Sequence, residues 1–437
     1  MVHPHTATSG GIAAPGGIAD PGGIPATGVE GTAAPEQPPT TETSSRGVAM
    51  HSLWRMGSRV ISSAALGICL LLTARGTVVG DFGAMMTAYS VGLIVGLAAG
   101  VGAPARILRA PAEARKLHGV LFAVHSVLVC ASWVVLVTIC AALGFAGWAV
   151  IAGLVFALGD TVQNYAQGHL TSLDEQGAAN ALVISHRLIP LAAAVISYVW
   201  IGHIDFAVLA VAFAVPVVIG LVVPYPSARR SGMRGIAPVF TDWLGYWAYS
   251  GSAMLNQLQL PVLGAVATAG VVGMFAMSAR VVGPITLLTA SITAVIVPEL
   301  AKRVGEPDRF GSLYRKLVAV CAGYFVVVLI VSWPVAMLVV ALAGPQYQAA
   351  TLLVAATIVG AGLSAWSQGY NAKLLAVGKP GLATMSIVAG AVLAVAMLFG
   401  LGVTGRSDLL WTVPVVSQVV VVLTMSWAAA RSRADER

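Results

Sequence analysis

The sequence predicts an all-α integral membrane protein of about twelve transmembrane helices in two six-helix lobes, with both termini cytoplasmic. Three observations carry this prediction. Of 437 residues, 58% are apolar and only 9% charged, with a mean hydropathy of +0.87. A soluble domain is about a quarter charged, so a medium other than water must solvate most of this chain. Apolar runs of roughly 20 residues, the length of helix that crosses a bilayer core, then recur from residue 57 onward. Finally, Lys and Arg concentrate on alternate connections between those runs.

Residues 1–45 stand apart, rich in Gly, Ala, Pro and Thr with a varied Pro-Gly-Gly-Ile theme. Such a segment buries too little apolar surface to offset its ordering entropy, which predicts a disordered cytoplasmic tail. It also lacks the basic-then-apolar order of a signal peptide. The predicted spans are 57–76, 82–104, 118–143, 147–171, 181–201, 206–224, 241–266, 271–297, 317–341, 349–372, 381–402 and 408–430. The fifth is the least regular, because His186 and Arg187 stand near its start. The implied organisation is an N-lobe over 46–224, a basic cytoplasmic linker over 225–240, a C-lobe over 241–430 and a short cytoplasmic tail over 431–437.

Placing the tail inside puts 21 of the 24 Lys and Arg residues on the cytoplasmic side; Arg75 and Arg406 fall outside and Arg280 falls within a span. This asymmetry is what the positive-inside rule demands, and one miscounted span would destroy it. The outer connections are short, such as 202–205 and 344–347, and leave no room for an extracellular domain. The longer inner connections, 224–240 and 298–316, are basic and suited to anionic lipid headgroups.

Composition and motifs narrow the function classes. Cys69, Cys130, Cys140 and Cys321 lie in apolar runs and read as packing residues, with no metal site. His125 and His169 have no partner at metal-ligand spacing. There is no phosphate-cradling Gly-rich loop ending in Gly-Lys-Ser/Thr, no Gly-x-Ser-x-Gly and no His-Glu-x-x-His. The expectation is a protein that is not an enzyme, needs no cofactor and binds no nucleic acid.

Polar residues within lipid need a reason, and those reasons define the candidate site. In the fourth span Asp160, Gln163, Asn164, Gln167 and Thr171 recur at helical spacing. They are expected to share one face toward a wet cavity or another polar helix. The bland reading is interhelical hydrogen bonding. Arg280 is the sharper anomaly: nine residues into its span it sits roughly 14 Å deep, near mid-bilayer. A permanently charged guanidinium there needs an anion, either a fixed carboxylate or a phosphate it grips with two N–H groups. Arg55 and Arg59 share one side of the first span's inner end, where topology alone also favours basic residues. Asn256, Gln257 and Gln259 add polarity to the seventh span, and Gln368, Tyr370, Asn371 and Lys373 close the tenth. Gly92, Gly96 and Gly100 make a small-residue stripe that reads as a close-packing face.

Three stretches carry a family resemblance. They are Gly80-Asp81-Phe82-Gly83; the run from Gln259 to Arg280 with Gly264, Gly273 and Phe275, followed by Pro298; and Gly344-Pro345-Gln346-Tyr347 with Leu375-Ala376-Val377-Gly378-Lys379-Pro380. Together they resemble the polysaccharide/O-antigen-type lipid-linked oligosaccharide flippases of the multidrug/oligosaccharidyl-lipid/polysaccharide exporter superfamily. Gln259 stands where that family often carries an acid, and Phe275 where Tyr is common. The resemblance implies movement of a polyprenyl-(pyro)phosphate-linked sugar from the inner to the outer leaflet of the cell membrane, by alternating access of two lobes. It implies Arg280 as the second-lobe phosphate contact and Arg55 and Arg59 as first-lobe cations. The partners it implies are the glycan lipid, membrane lipids and glycosyltransferases of the same pathway.

Two other classes compete. An ion-coupled exporter of small amphipathic molecules would use Asp160 as its titrating group and would favour acids over bases in the cavity. A membrane glycosyltransferase would place catalytic residues on a sizeable loop at one membrane face.

Overall fold

The computed structural model describes residues 45–432 except 110, 174, 231–234, 241–242, 281, 283–284, 286–295 and 298; for 45–56, 59, 105, 108–109, 111–116, 238, 245, 248–250 and 252–253 it describes the backbone only. The expected tail therefore lies, but for Ser45, outside the described residues. The described chain is helical throughout, joined by short turns and 3-10 segments.

The N-terminal half holds α1 (Ser45–Arg75), α2 (Val79–Ala99), the short α3 (Ala103–Arg109), α4 (Pro111–Ala142), α5 (Trp148–Ser172), α6 (Gln176–Ile201) and α7 (Phe206–Val222). The basic connection follows as α8 (Tyr225–Arg230) and a 3-10 turn at Ala237–Phe240. The C-terminal half holds α9 (Trp243–Gln257), α10 (Gln259–Val266), α11 (Ala269–Arg280), α12 (Pro307–Ala343), α13 (Thr351–Ala376), α14 (Pro380–Val403) and α15 (Thr412–Arg431).

Among the described residues, eight helices are long and apolar enough to cross a membrane. The other four predicted spans are also helical where described. Three of them show why simple hydropathy understates them. α5 carries the polar stripe yet packs against α2, α4, α6 and α7, which shield it from lipid. The seventh span is broken at Leu258 into α9 and α10, a correction to the single helix expected over 241–266. The cause is Pro261: it lacks an N–H and its ring crowds the carbonyl four residues back. The Leu258 N–H is shared between the Met254 and Leu255 carbonyls at 3.2 and 3.3 Å. The eighth span is described as α11 only as far as Arg280, and most of its remainder lies outside the described residues.

The halves meet most closely where α2 crosses α11. A Cβ on Gly273 would stand 2.0 Å from the Val79 carbonyl oxygen, and one on Gly83 would stand 2.7 Å from the Gly273 nitrogen. Only glycine allows that approach. The predicted Gly stripe on α2 instead faces α5 within its own half: Cβ atoms at Gly92 and Gly96 would press on Ala157 and Thr161. One apolar core, including Phe82, Met85, Phe156, Phe275, Tyr347 and Leu398, runs through both halves.

The connection before α12 is an exposed charged surface. Lys302 and Arg303 pair with Glu299, and Arg309 pairs with Glu306, all at i,i+3 or i,i+4 spacing.

Candidate functional site

α5 and α6 are joined by a turn of a few residues, so they run antiparallel. Asp160 and His186 each stand about 13 residues from Leu173, at the same depth. Asp160 is buried at 7% exposure and its carboxylate is fully engaged. Oδ1 accepts from His186 Nε2 at 2.6 Å and from Arg187 at 2.8 Å. Oδ2 accepts from the Tyr89 hydroxyl at 2.5 Å. The Tyr89 ring stacks on Phe156 with centroids 4.3 Å apart, and Phe156 stacks on Phe213 at 4.5 Å. Arg187 lies over the other aromatic of the pair, with Cζ 5.5 Å from the Phe156 centroid. An acid, an arginine, a histidine and two aromatics from α2, α5 and α6 thus form one buried cluster.

Arg280 approaches that cluster from the C-terminal half. Its Cζ stands 4.8 Å from the Tyr89 ring centroid, and among the described residues no carboxylate lies within ion-pair distance. Its Nε is buried with no hydrogen-bond partner. Beside it opens a cavity of about 230 Å³ between α1, α2, α11 and α12, lined by Ser63, Gly67, Leu71, Phe82, Met277, Val339 and Arg280 among others. Among the described lining residues Arg280 carries the one formal charge; the rest are alkyl groups, the Ser63 hydroxyl, the Phe82 ring and the Met277 thioether.

Toward the end assigned to the outside by the charge count, aromatic and hydrogen-bonded contacts join the two halves. The Phe82 ring meets the Tyr347 ring edge-on at 6.5 Å, and both are buried. Above them Arg75 donates to the Ala341 and Leu342 carbonyls at 3.2 Å each, and to the Tyr198 hydroxyl at 3.0 Å. These are last-turn carbonyls of α12, where a cation also meets the negative helix end. In return Gln346 donates to the Ala74 carbonyl at 3.2 Å.

The fourth-span stripe does not share one environment, a correction to the expected single face toward a wet cavity or another polar helix. Asp160 is in the cluster. Gln163 is buried and donates to the Pro216 carbonyl at 2.6 Å, fastening α5 to α7. Asn164 is exposed, while Gln167 and Thr171 are half-buried. The physical reason is angular: Gln163 and Asn164 point about 100° apart on the helix, so the stripe straddles two surfaces. Asn256 is exposed and Gln259 half-buried, on either side of the break at Leu258, and neither lines the Arg280 cavity. The side chains of Arg55 and Arg59 lie outside those described. Tyr89 was not singled out by the sequence. The two span histidines make ordinary structural contacts: His169 meets the His118 ring at 4.6 Å and Ser227 at 2.8 Å, and His125 stacks on Tyr165 at 4.5 Å.

This helix arrangement is that of an all-helical multi-pass membrane protein. Specifically, the fold is the two-lobed one of about twelve helices seen in transporters of the MOP superfamily. The chain is similar to the lipid II flippase MurJ in its inward closed conformation (TM-score 0.61, 12% identity, 87% of each chain covered). It is similar to a MOP-superfamily transporter from Pyrococcus furiosus whose binding pocket has reversed polarity (0.56, 14%, 89% of this chain and 96% of that one). It is also similar to an inward-facing multidrug-resistance MATE transporter (0.54, 14%, 88% and 95%). No protein-family model and no curated protein sequence matches the chain.

Proposed function

We propose that this chain is a flippase that moves a polyprenyl-(pyro)phosphate-linked sugar or oligosaccharide from the inner to the outer leaflet by alternating access, for synthesis of a cell-envelope polysaccharide. The single observation that carries the reading is Arg280: a guanidinium with no carboxylate partner among the described residues, beside a cavity between the two halves. A half-buried cation with no carboxylate within ion-pair distance among the described residues favours an anion as its cargo. An alkyl lining with one cation also suits a ligand that is part hydrocarbon and part phosphate. One of the transporters with this fold is itself a flippase of a lipid-linked precursor.

In this reading the moving bodies are the lobes 46–224 and 241–430. Arg280 grips the phosphate, Arg55 and Arg59 gather it at the inner mouth, and the polyprenyl chain stays in lipid. Carrying a charged, hydroxyl-rich headgroup through hydrocarbon unaided would be prohibitive. The outer closure by Arg75, Gln346, Phe82 and Tyr347 fits a state ready to load from inside. The ion-coupled exporter reading is weaker, because Asp160, its titrating group, already holds three partners within its own half.

The test is depletion of the protein in its own cell, with lipid extracts sorted by leaflet and analysed by mass. Accumulation of a polyprenyl-linked glycan in the inner leaflet is expected; an unchanged lipid-linked pool would count against the reading.

A further inference from the structure

We propose that Tyr89 is a positioning residue for the anion site: a fixed aromatic shelf, belonging to the N-terminal half, that holds the C-terminal half's Arg280 with its Nε–H unpaired. The proposal rests on the anion-carrier reading above and deepens it.

A guanidinium can be held in two ways. A carboxylate consumes its N–H donors, whereas an aromatic face attracts the cation and leaves the in-plane donors available. Arg280 is held chiefly in the second way, 4.8 Å from the Tyr89 centroid; the Tyr89 hydroxyl also meets the guanidinium, while the buried Nε has no partner. The site is thereby oriented without being filled.

The shelf itself cannot swing. Its hydroxyl is tied to Asp160 Oδ2 at 2.5 Å. Its ring is backed by Phe156, and Phe156 by Phe213. Asp160 is pinned in turn by His186 and Arg187 at 2.6 and 2.8 Å. This gives the intramembrane acid a role that involves neither titration nor substrate: it anchors the tyrosine while Arg187 neutralises it.

The shelf and the guanidinium belong to opposite halves, which has a consequence for transport. While α2 and α11 are packed, Arg280 is oriented and desolvated on Tyr89. Once those helices separate, the guanidinium loses its shelf and the grip on an anion weakens. Affinity is thus tied to conformation, high in the closed state and lower on opening, which favours release of the headgroup after the change of access.

The experiment uses the full chain in lipid nanodiscs and geranyl diphosphate as the probe, with binding followed calorimetrically and folding by thermal denaturation. Tyr89→Leu, which removes the ring, is expected to weaken binding roughly tenfold, and Tyr89→Met likewise should the leucine variant fold poorly. Tyr89→Phe keeps the ring but loses the tether, and should weaken binding about two- to threefold. In an Arg280→Gln background, Tyr89→Leu should have no further effect; a merely structural tyrosine would weaken binding in both backgrounds. Wild-type binding that Tyr89→Leu and Tyr89→Met leave unchanged, or strengthen, overturns the shelf alone. Absence of diphosphate binding by the wild-type chain overturns both the shelf and the anion reading beneath it.

Discussion

Asp160 and Arg187 form a 2.8 Å ion pair inside the N-terminal half, between α5 and α6. The pair satisfies the Asp160 carboxylate locally, at a depth within α5 and α6 that corrects the cytoplasmic placement of Arg187 by charge count, and Arg280 is left to the cavity. Charge is distributed in the molecule as a closed account on one side of the interface and an open one on the other.

Breaking the pair from one side should be far more damaging than removing it. Arg187→Gln leaves a buried carboxylate without its cation and is expected to lower stability by about 3–5 kcal/mol. The double variant Asp160→Asn/Arg187→Gln replaces both charges by amides and should recover a large part of that loss. Thermal unfolding in detergent measures both, and additive losses would argue against a coupled pair.

The crossing of α2 and α11 should tolerate no side chain at Gly273. A Cβ there would meet the Val79 carbonyl oxygen at 2.0 Å, while one at Gly270 meets nothing within 4 Å. Gly273→Ala is expected to destabilise by about 1–3 kcal/mol, and Gly270→Ala to be neutral or slightly stabilising, by up to ~1 kcal/mol. Equal unfolding temperatures for the two variants would contradict the close approach.

Much of this fold is legible in the sequence because lipid imposes a simple demand. Each crossing needs about 20 apolar residues, and each buried charge announces itself as an exception, as Arg280 does. Asp160 could have been matched to His186 and Arg187 from the sequence, since all lie at equal depth on either side of one tight turn. The break at Leu258 was written in Pro261. Tyr89 is different: a buried aromatic within an apolar run looks like any core residue, and its meaning depends on three helices meeting. The polar stripe of α5 misled for the same reason, because periodicity gives the angle of a residue but not which neighbour occupies that angle.

The outer closure should be separable from the site. Arg75→Ala combined with Gln346→Ala removes the hydrogen bonds from α1 to the carbonyl end of α12 and back. A cysteine at Gly67, which lines the cavity and has open space at its Cβ position, reports access when the four native cysteines are replaced. Labelling of that position by a membrane-impermeant maleimide added outside is expected to rise about 5- to 10-fold without the latch, as for a loss of about 1–1.4 kcal/mol of closure. Labelling that stays at the wild-type rate would show that these bonds do not hold the outer end shut.

The central claim is that Arg280 carries the headgroup across. The most direct test reconstitutes the wild-type chain and Arg280→Gln in vesicles holding a fluorescent polyprenyl-diphosphate-linked sugar, and follows its exposure in the opposite leaflet. Loss of one or two hydrogen bonds to a charged group predicts a fall of roughly 10- to 100-fold in the translocation rate at equal protein insertion. Equal rates for the two proteins would contradict it.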